Sequence, residues 1–526
     1  MKVLVSDNLG EIGIEMFRKE ENIDVDVKTG LAPDELKDII SGYDALVIRS
    51  ATKVTEELLE AATSLKVVGR AGIGLDNVDI PAATKRGVVI MNTPGGNVIT
   101  TAEHAIAMIL SLTRNIPAGT SSLKSGLWNK KKLQGREVYN KTLGLIGFGK
   151  IGSIVADRAQ GLKMKVIVYD PLVTPELIEK AGLEPVSMEE LYSRSDYITI
   201  HVPKMKETIG MLNEEAFNRM KDGVMLVNCA RGGIVEETDL YNAMKSGKVA
   251  GAALDVFESE PPGESPLFEF DRFICTPHLG ASTKEAQTNV AVAVAGQIIE
   301  YLKNGTILNA VNVPSVTGDL LDKLGPFLTI ADRMGCLQSQ LIDGPLKEVV
   351  IEYRGDFQGL DMSPVSTAAL KGILSSAVKD DVNFVNASAI AKERGIKVLE
   401  TSSSESEDYI NLITIKTITA SNTTTVAGTI VGKHDPRVVK INNFRLELIP
   451  RGHLALIHNI DKPGAIGSIG TVLGEHKINI GRMHVGQEED GERNIIFLRT
   501  DTPFTDEVIK CLRSLPLVKT VIPLEL

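Results

Sequence analysis

The sequence predicts two doubly wound parallel-sheet domains, the first discontinuous, followed by an α+β domain and a ferredoxin-like βαββαβ domain. Three observations predict this. Short apolar runs alternate with helix-like stretches from the first residue to about 305. One of those runs opens into a Gly-x-Gly-x-x-Gly turn and then a helix. Beyond 314 the chain becomes rich in Thr and Val, and from Gly452 it reads strand, helix, strand, strand, helix, strand. Alternation of the first kind builds βαβ units and a parallel sheet covered on both faces, whereas the last order is the ferredoxin-like pattern.

The bulk numbers agree with a multidomain globular chain. It has 526 residues, 43% hydrophobic and 24% charged, and at about 100–200 residues per domain that is three or four domains. The net charge of −11 argues against nucleic acid or an anionic membrane as a partner, since neither attracts an acidic surface. No apolar run reaches the roughly 18 residues of a membrane span. The start, MKVLVSDNLG, lacks the pattern of a signal peptide. Four scattered cysteines (229, 275, 336, 511) make no CxxC pair and no metal-ligand spacing, so a reducing cytoplasm is the expected compartment.

In chain order, MKVLVSD, DALVIRS, LKVVGRAG and GVVIMNTPG are the strands of the first domain, expected over 1–98 and 286–313. TTAEHAIAMILSLTRN (100–115) has helical spacing. Six further strand-like runs, KTLGLIGFGKIG, MKVIVYDP, SDYITIHVP, GVMLVNCARGG, VAGAALDVF and FICTPHLG, make a second sheet over 99–285. The long helix 284–305 returns the chain to the first domain. NAVNVPSVTGD (309–319) reads as a linker. The α+β domain spans 314–450, with strands LKEVVIEYRG, YINLITIKTI, TTTVAGTIVG and FRLELIP and helices near 365–378 and 386–395; 451–526 is the last domain.

The glycine turn places Gly147, Gly149 and Gly152 between a strand and a helix. The first glycine makes the turn, the second lets the backbone approach a pyrophosphate, the third packs helix on strand, and the helix N-terminus offers amides to the anion. Asp170 ends the next strand, where a carboxylate bonds a ribose 2′-hydroxyl and repels a 2′-phosphate. NAD is therefore the expected cofactor. Three polar groups, Arg231, Glu260 and His278, fall on loops at predicted strand ends. Oxidation of a carbinol carbon by hydride transfer needs a base for the hydroxyl proton, and imidazole titrates near neutral pH. A carboxylate on the other ring nitrogen fixes the tautomer, and an Arg fork holds a substrate carboxylate.

GFGKIG, VNCARGGIVEETDL, ALDVFESEPP and TPHLGAST, in that order, resemble the D-isomer-specific 2-hydroxyacid dehydrogenase family. The resemblance covers about 1–313 and implies that Arg231 binds the substrate carboxylate, that His278 is the acid/base and that Glu260 pairs with it. It also implies NAD contacts from Lys150, Ile151, Asp170, Val202, Cys229, Ala230, Arg231, Asp255, His278, Leu279, Gly280 and Ala281. VVGRAGIGLDNVD and NTPGGNVITTAEH are similar to the substrate loops of the family's long branch, which acts on 3-phosphoglycerate. In that branch 314–450 corresponds to an intervening allosteric substrate-binding domain and 452–526 to an ACT domain.

The resemblance implies a homo-oligomer, dimeric or tetrameric, that performs the first step of phosphorylated serine synthesis. Arg49 and Arg70 are then the candidate cations for the phosphate. Lys131, in a Lys run after Trp128, is a candidate that reaches a neighbouring subunit. Ile73, Gly74 and Asn97 are candidates for the carboxylate end. Asn459, Asp461 and Asn479 match positions that hold serine in relatives, with Asn459 standing where some relatives have His. Other family members, acting on glyoxylate, hydroxypyruvate or lactate, usually end near residue 330. An NAD-sensing regulator of the same fold would bind NAD and turn over little.

Overall fold

The computed structural model describes all residues except 315–317, 358, 376–381, 406–407, 433 and 488–492. The first sheet has five parallel strands in the order Asp24–Val27, Lys2–Val5, Ala45–Ile48, Val67–Arg70, Val89–Met91. Its inner strands are apolar apart from Lys2 and Arg70 at their ends, because both faces are covered. One cover is the helix Lys284–Asn304, whose Val290, Ala291, Val294 and Ile298 pack on Val3, Val5, Val67 and Val89. Beyond that helix Ala310 bridges Met91, and Asn312 bonds the backbone of Ile90 and Val88.

The second sheet is also parallel. It has seven strands, ordered Phe273–Cys275, Val249–Leu254, Val224–Asn228, Tyr197–Ile200, Thr142–Ile146, Lys165–Tyr169, Glu184–Pro185. The seventh, Glu184–Pro185, is too short to show as an apolar run. The helix Val98–Thr113 enters this domain and buries Ala102, Ala105, Ile109 and Leu112 against Leu143, Leu145 and Ala253.

The third sheet has six strands: Lys397–Ser403, Leu346–Gly355, Asn411–Thr419, Thr423–Val431, Asp435–Ile441 and Phe444–Leu448. The first pair is parallel and the others antiparallel. A helix over Gly318–Leu341 covers it together with Ser363–Ser375. The sequence reading missed that first helix and put its opening residues in a linker, because Pro326 sits inside it and proline usually ends a helix. Part of the expected helix 365–378 lies outside the described residues. The fourth sheet, Ile480–Gln487, Arg493–Thr500, His453–Ile460, Val518–Glu525, is antiparallel, with helices Ala465–Glu475 and Asp506–Arg513. Ala455, Ile457, Ile496 and Leu498 face those helices. Leu454, Leu456, Ile495, Phe497 and Leu524 join the core of the third sheet. The last sheet is thus buried on both sides.

Candidate active site

Five strands of the second sheet end at one edge, and the loops beyond their C-terminal ends carry the polar groups. Ile146 leads to Gly147, Ile200 to His201 and Val202, Asn228 to Cys229–Arg231, Leu254 to Asp255, and Cys275 to His278. Facing them from the first sheet are the turns after Ile48 and Arg70. Between the two lies a cleft of about 520 Å³, lined from one side by Arg49, Ser50, Arg70, Ile73, Gly74 and Asp76, and from the other by Arg231, Glu260 and His278.

His278 Nδ1 lies 2.7 Å from Glu260 Oε2, and Glu260 Oε1 accepts from the Phe257 amide. His278 has a left-handed backbone, φ 53°, a conformation that costs a non-glycine residue about 1 kcal/mol. Its amide is held by Asp255 and Thr276 carbonyls. The Asp255 side chain is 1% exposed. It accepts from the Leu279 amide at 2.7 Å, the Gly280 amide at 2.8 Å and the Thr276 hydroxyl, and lies 3.2 Å from His104 Nε2. Burial works to raise its pKa, but His104, the Thr276 hydroxyl and the Leu279 amide together outweigh that and hold it below the usual carboxylate range.

The glycine loop tests whether a dinucleotide fits. Gly147 has φ 96°, and a Cβ there would come 2.7 Å from the His201 carbonyl oxygen. A Cβ on Gly152 would come 2.1 Å from the Gly147 carbonyl oxygen. A Cβ on Gly149 would meet nothing within 4 Å, so open space lies over the N-terminus of the helix Lys150–Gly161. Two of the glycines are required by their neighbours; the third leaves room for phosphate. The Asp170 carboxylate accepts from the Phe148 amide at 2.7 Å and the Leu172 amide at 2.8 Å, which sets it beside the loop. Ile151, Val202, Cys229, Ala230, Gly280 and Ala281 line the cleft, while Lys150 and Leu279 lie beyond its lining. Burial pushes the Cys229 thiol up and brings His201, half-buried in the cleft wall, down to about 4.

The opposite wall is cationic. Arg70 donates to Asn77 Oδ1 and Ser50 Oγ. Burial, then the nearby Arg231 and Arg49, bring its guanidinium down to about 10, with Asp76 acting the other way. Arg49 is fixed through its amide to Asp7 and through Nη1 to the Asn8 carbonyl. Arg231 donates from Nε to Asp76 Oδ2 across the cleft and from Nη1 to the Ala230 carbonyl oxygen. The buried amide of Asn228 shapes this turn, accepting from Ala230 N and donating to the Arg231 carbonyl oxygen. The Oδ1 of Asn97, at the mouth of the helix Val98–Thr113, is buried without a hydrogen-bond partner.

Residues 106–280 match the D-isomer specific 2-hydroxyacid dehydrogenase NAD binding domain, 323–442 the D-3-phosphoglycerate dehydrogenase intervening domain, and 453–517 the ACT domain. The chain is 44% identical to the D-3-phosphoglycerate dehydrogenase of Bacillus subtilis, over 99% of this chain and 98% of the relative. The chain belongs to the D-3-phosphoglycerate dehydrogenase family. A second member, from Synechocystis, is 42% identical over 97% of this chain and 92% of its own. A solved D-lactate dehydrogenase of Aquifex aeolicus, complexed with NAD and lactic acid, covers 60% of this chain and all of its own, with TM-score 0.54 and 29% identity. The family's cofactor is NAD, and the fit of the glycine loop agrees.

Two groups of expected residues are not gathered into one place. Lys131 lies on an exposed turn outside the cleft lining of its own chain. Asn459 and Asp461 lie where the strand His453–Ile460 ends beside Asn494, whereas Asn479 precedes a strand whose Ile480 pairs with Thr500, at the opposite end of the sheet. Sequence reasoning missed Asp76, Asn228 and His104. Each lies inside a quoted motif, but its partner is distant in the chain or is main chain. Among the described residues no cluster could hold a metal ion, and no helix is long and apolar enough to cross a membrane.

Proposed function

We propose that the chain oxidises the C2 hydroxyl of 3-phospho-D-glycerate with NAD, giving 3-phosphohydroxypyruvate and NADH, the entry step of phosphorylated serine biosynthesis. The observation that carries this is one cleft with Glu260–His278 on one wall and Arg49, Ser50 and Arg70 on the other. Arg231 binds the substrate carboxylate, and the amides around Ile73–Gly74 with Asn97 complete that end. Arg49 and Arg70 take the phosphate, whose charge offsets their mutual repulsion. His278 receives the hydroxyl proton on the ring nitrogen that Glu260 leaves open, and the Glu260 carboxylate balances the imidazolium. NAD bound on the glycine loop supplies the hydride acceptor. Asp170 favours a ribose 2′-hydroxyl over a 2′-phosphate, and closing the cleft between the two domains excludes water from the reacting atoms.

The terminal domain is read as a serine sensor in an oligomer. Asn459 and Asp461 of one copy would meet Asn479 of another, since within one chain they sit at opposite sheet ends. Trp128, 81% exposed, supports the reading that the 123–132 segment, Lys131 included, contacts a second copy. The expected compartment is the cytoplasm. The test is NADH formation at alkaline pH from 3-phosphoglycerate beside glycerate and D-lactate, with and without serine. Turnover confined to the phosphorylated acid supports the substrate. Equal rates on unphosphorylated acids overturn it. A serine-independent rate overturns the sensor.

A further inference from the structure

The cleft holds a carboxylate that the proposed reaction leaves unused. Three carboxylates line it: Asp255, Glu260 and Asp76. The first is committed to the Leu279 and Gly280 amides and the second to His278. Asp76 belongs to the other domain and is 53% exposed, and its Oδ2 accepts from Arg231 Nε at 2.8 Å. A negative charge set among cations meant for an anionic ligand opposes binding unless it is part of how binding works.

The geometry of Arg231 gives it such a part. A guanidinium presents two edges that accept a carboxylate with two parallel bonds, Nε with Nη2 and Nη1 with Nη2. Asp76 takes one prong of the first edge, and Nη1 donates to the Ala230 carbonyl oxygen. The shared Nη2 lies over Gly74, where a Cβ would come within 1.8 Å of it. The Nε–Nη2 edge is closed to a two-bond carboxylate while the Asp76 contact stands. The Ala230 contact is the harder to give up, because Asn228 ties the Ala230 amide and the Arg231 carbonyl into a buried turn. The Asp76 contact joins two domains through an exposed turn.

We propose that Asp76 is an internal carboxylate that holds Arg231 across the cleft and is exchanged for the carboxylate of the incoming 2-hydroxy acid. This rests on the assignment of Arg231 to the substrate carboxylate. Before ligand binds, Asp76 offsets the repulsion among Arg49, Arg70 and Arg231. A ligand without a carboxylate has nothing to replace the broken pair, so neutral alcohols are rejected. A carboxylate ligand binds less tightly than the bare cations would allow, and the product acid leaves more readily.

The test uses the full chain with Asp76→Asn, and Asp76→Ser as a second variant. Binding of oxamate, an unreactive 2-oxo acid analogue, to the NADH-loaded enzyme is measured by calorimetry beside steady-state kinetics. Removing the charge is expected to lower the oxamate Kd and the KM for the hydroxy acid by about three- to tenfold, with kcat falling as product release slows. Asp76→Glu is expected to stay near the parent Kd. An unchanged or weaker oxamate Kd in both neutral variants overturns the exchange and leaves Asp76 as a support for Arg231. Turnover of 3-phosphoglycerate by a parent chain that does not bind oxamate overturns the exchange while the reaction stands. A parent chain that neither binds oxamate nor turns over any 2-hydroxy acid overturns the reaction assignment itself.

Discussion

Glu260 Oε2 and His278 Nδ1 meet at 2.7 Å because their loops leave two adjacent parallel strands, Val249–Leu254 and Phe273–Cys275. Removing the imidazole by His278→Ala is expected to lower kcat by about 10²–10⁴-fold, and Glu260→Gln by a smaller factor of about 10–100-fold. Glutamine keeps a hydrogen-bond partner but loses the charge. The Kd for NADH is expected to stay near the parent value in Glu260→Gln. Pre-steady-state hydride transfer together with NADH fluorescence titration checks both.

The glycine loop separates folding from binding. Gly147→Ala forces a side chain into φ 96° and against the His201 carbonyl, so it is expected to destabilise the NAD-binding domain by about 1–3 kcal/mol. Gly149→Ala meets nothing in the protein. It is expected to leave the melting temperature near the parent value and weaken NAD binding at least about tenfold. Thermal melts with and without NAD distinguish the two effects.

Asp255 gives the pH prediction. Its pKa in the folded protein lies below the usual range, so its ionised form contributes stability that is fully present above the unfolded value of about 3.9 and is lost as pH falls through the folded value. Asp255→Asn is expected to cost about 2–4 kcal/mol at neutral pH, with the gap from the parent narrowing below about pH 4. Denaturant unfolding at the two pH values measures this. A gap that stays constant would contradict it.

Arg70 should discriminate between substrates. Arg70→Ala is expected to raise the KM for 3-phosphoglycerate by about 10–100-fold and to change the KM for glycerate much less, since only the former carries the phosphate. Parallel saturation curves on both acids decide it.

Much of this architecture was legible from local pattern. Apolar strands that end in glycine or a charge announced both parallel sheets, and the strand, glycine turn and helix around 142–161 announced the cofactor loop. The helix Gly318–Leu341 was hidden because Pro326 breaks the local signal, while burial against Ile373, Val426 and Val438 sustains the helix. The pairing of Asp76 with Arg231 bridges 155 positions, and no spacing rule reaches that far. The separation of Asn459 from Asn479 follows from antiparallel register in the last sheet, which motif matching does not see. The two-sided burial of that sheet was readable in principle, because LALI and IIFL are apolar without alternation.

The helix Lys284–Asn304 has a consequence for synthesis on the ribosome. The first sheet is translated by Met91, but the helix that seals its apolar face and the Asn312 contacts at its edge come only after the entire second sheet has been made. At about 5–20 residues per second, the exposed strands wait on the order of 10 s or longer for their cover. The order of maturation in the first 313 residues is therefore inside out: the inserted domain is complete first, and the amino-terminal domain that brackets it in sequence closes after it.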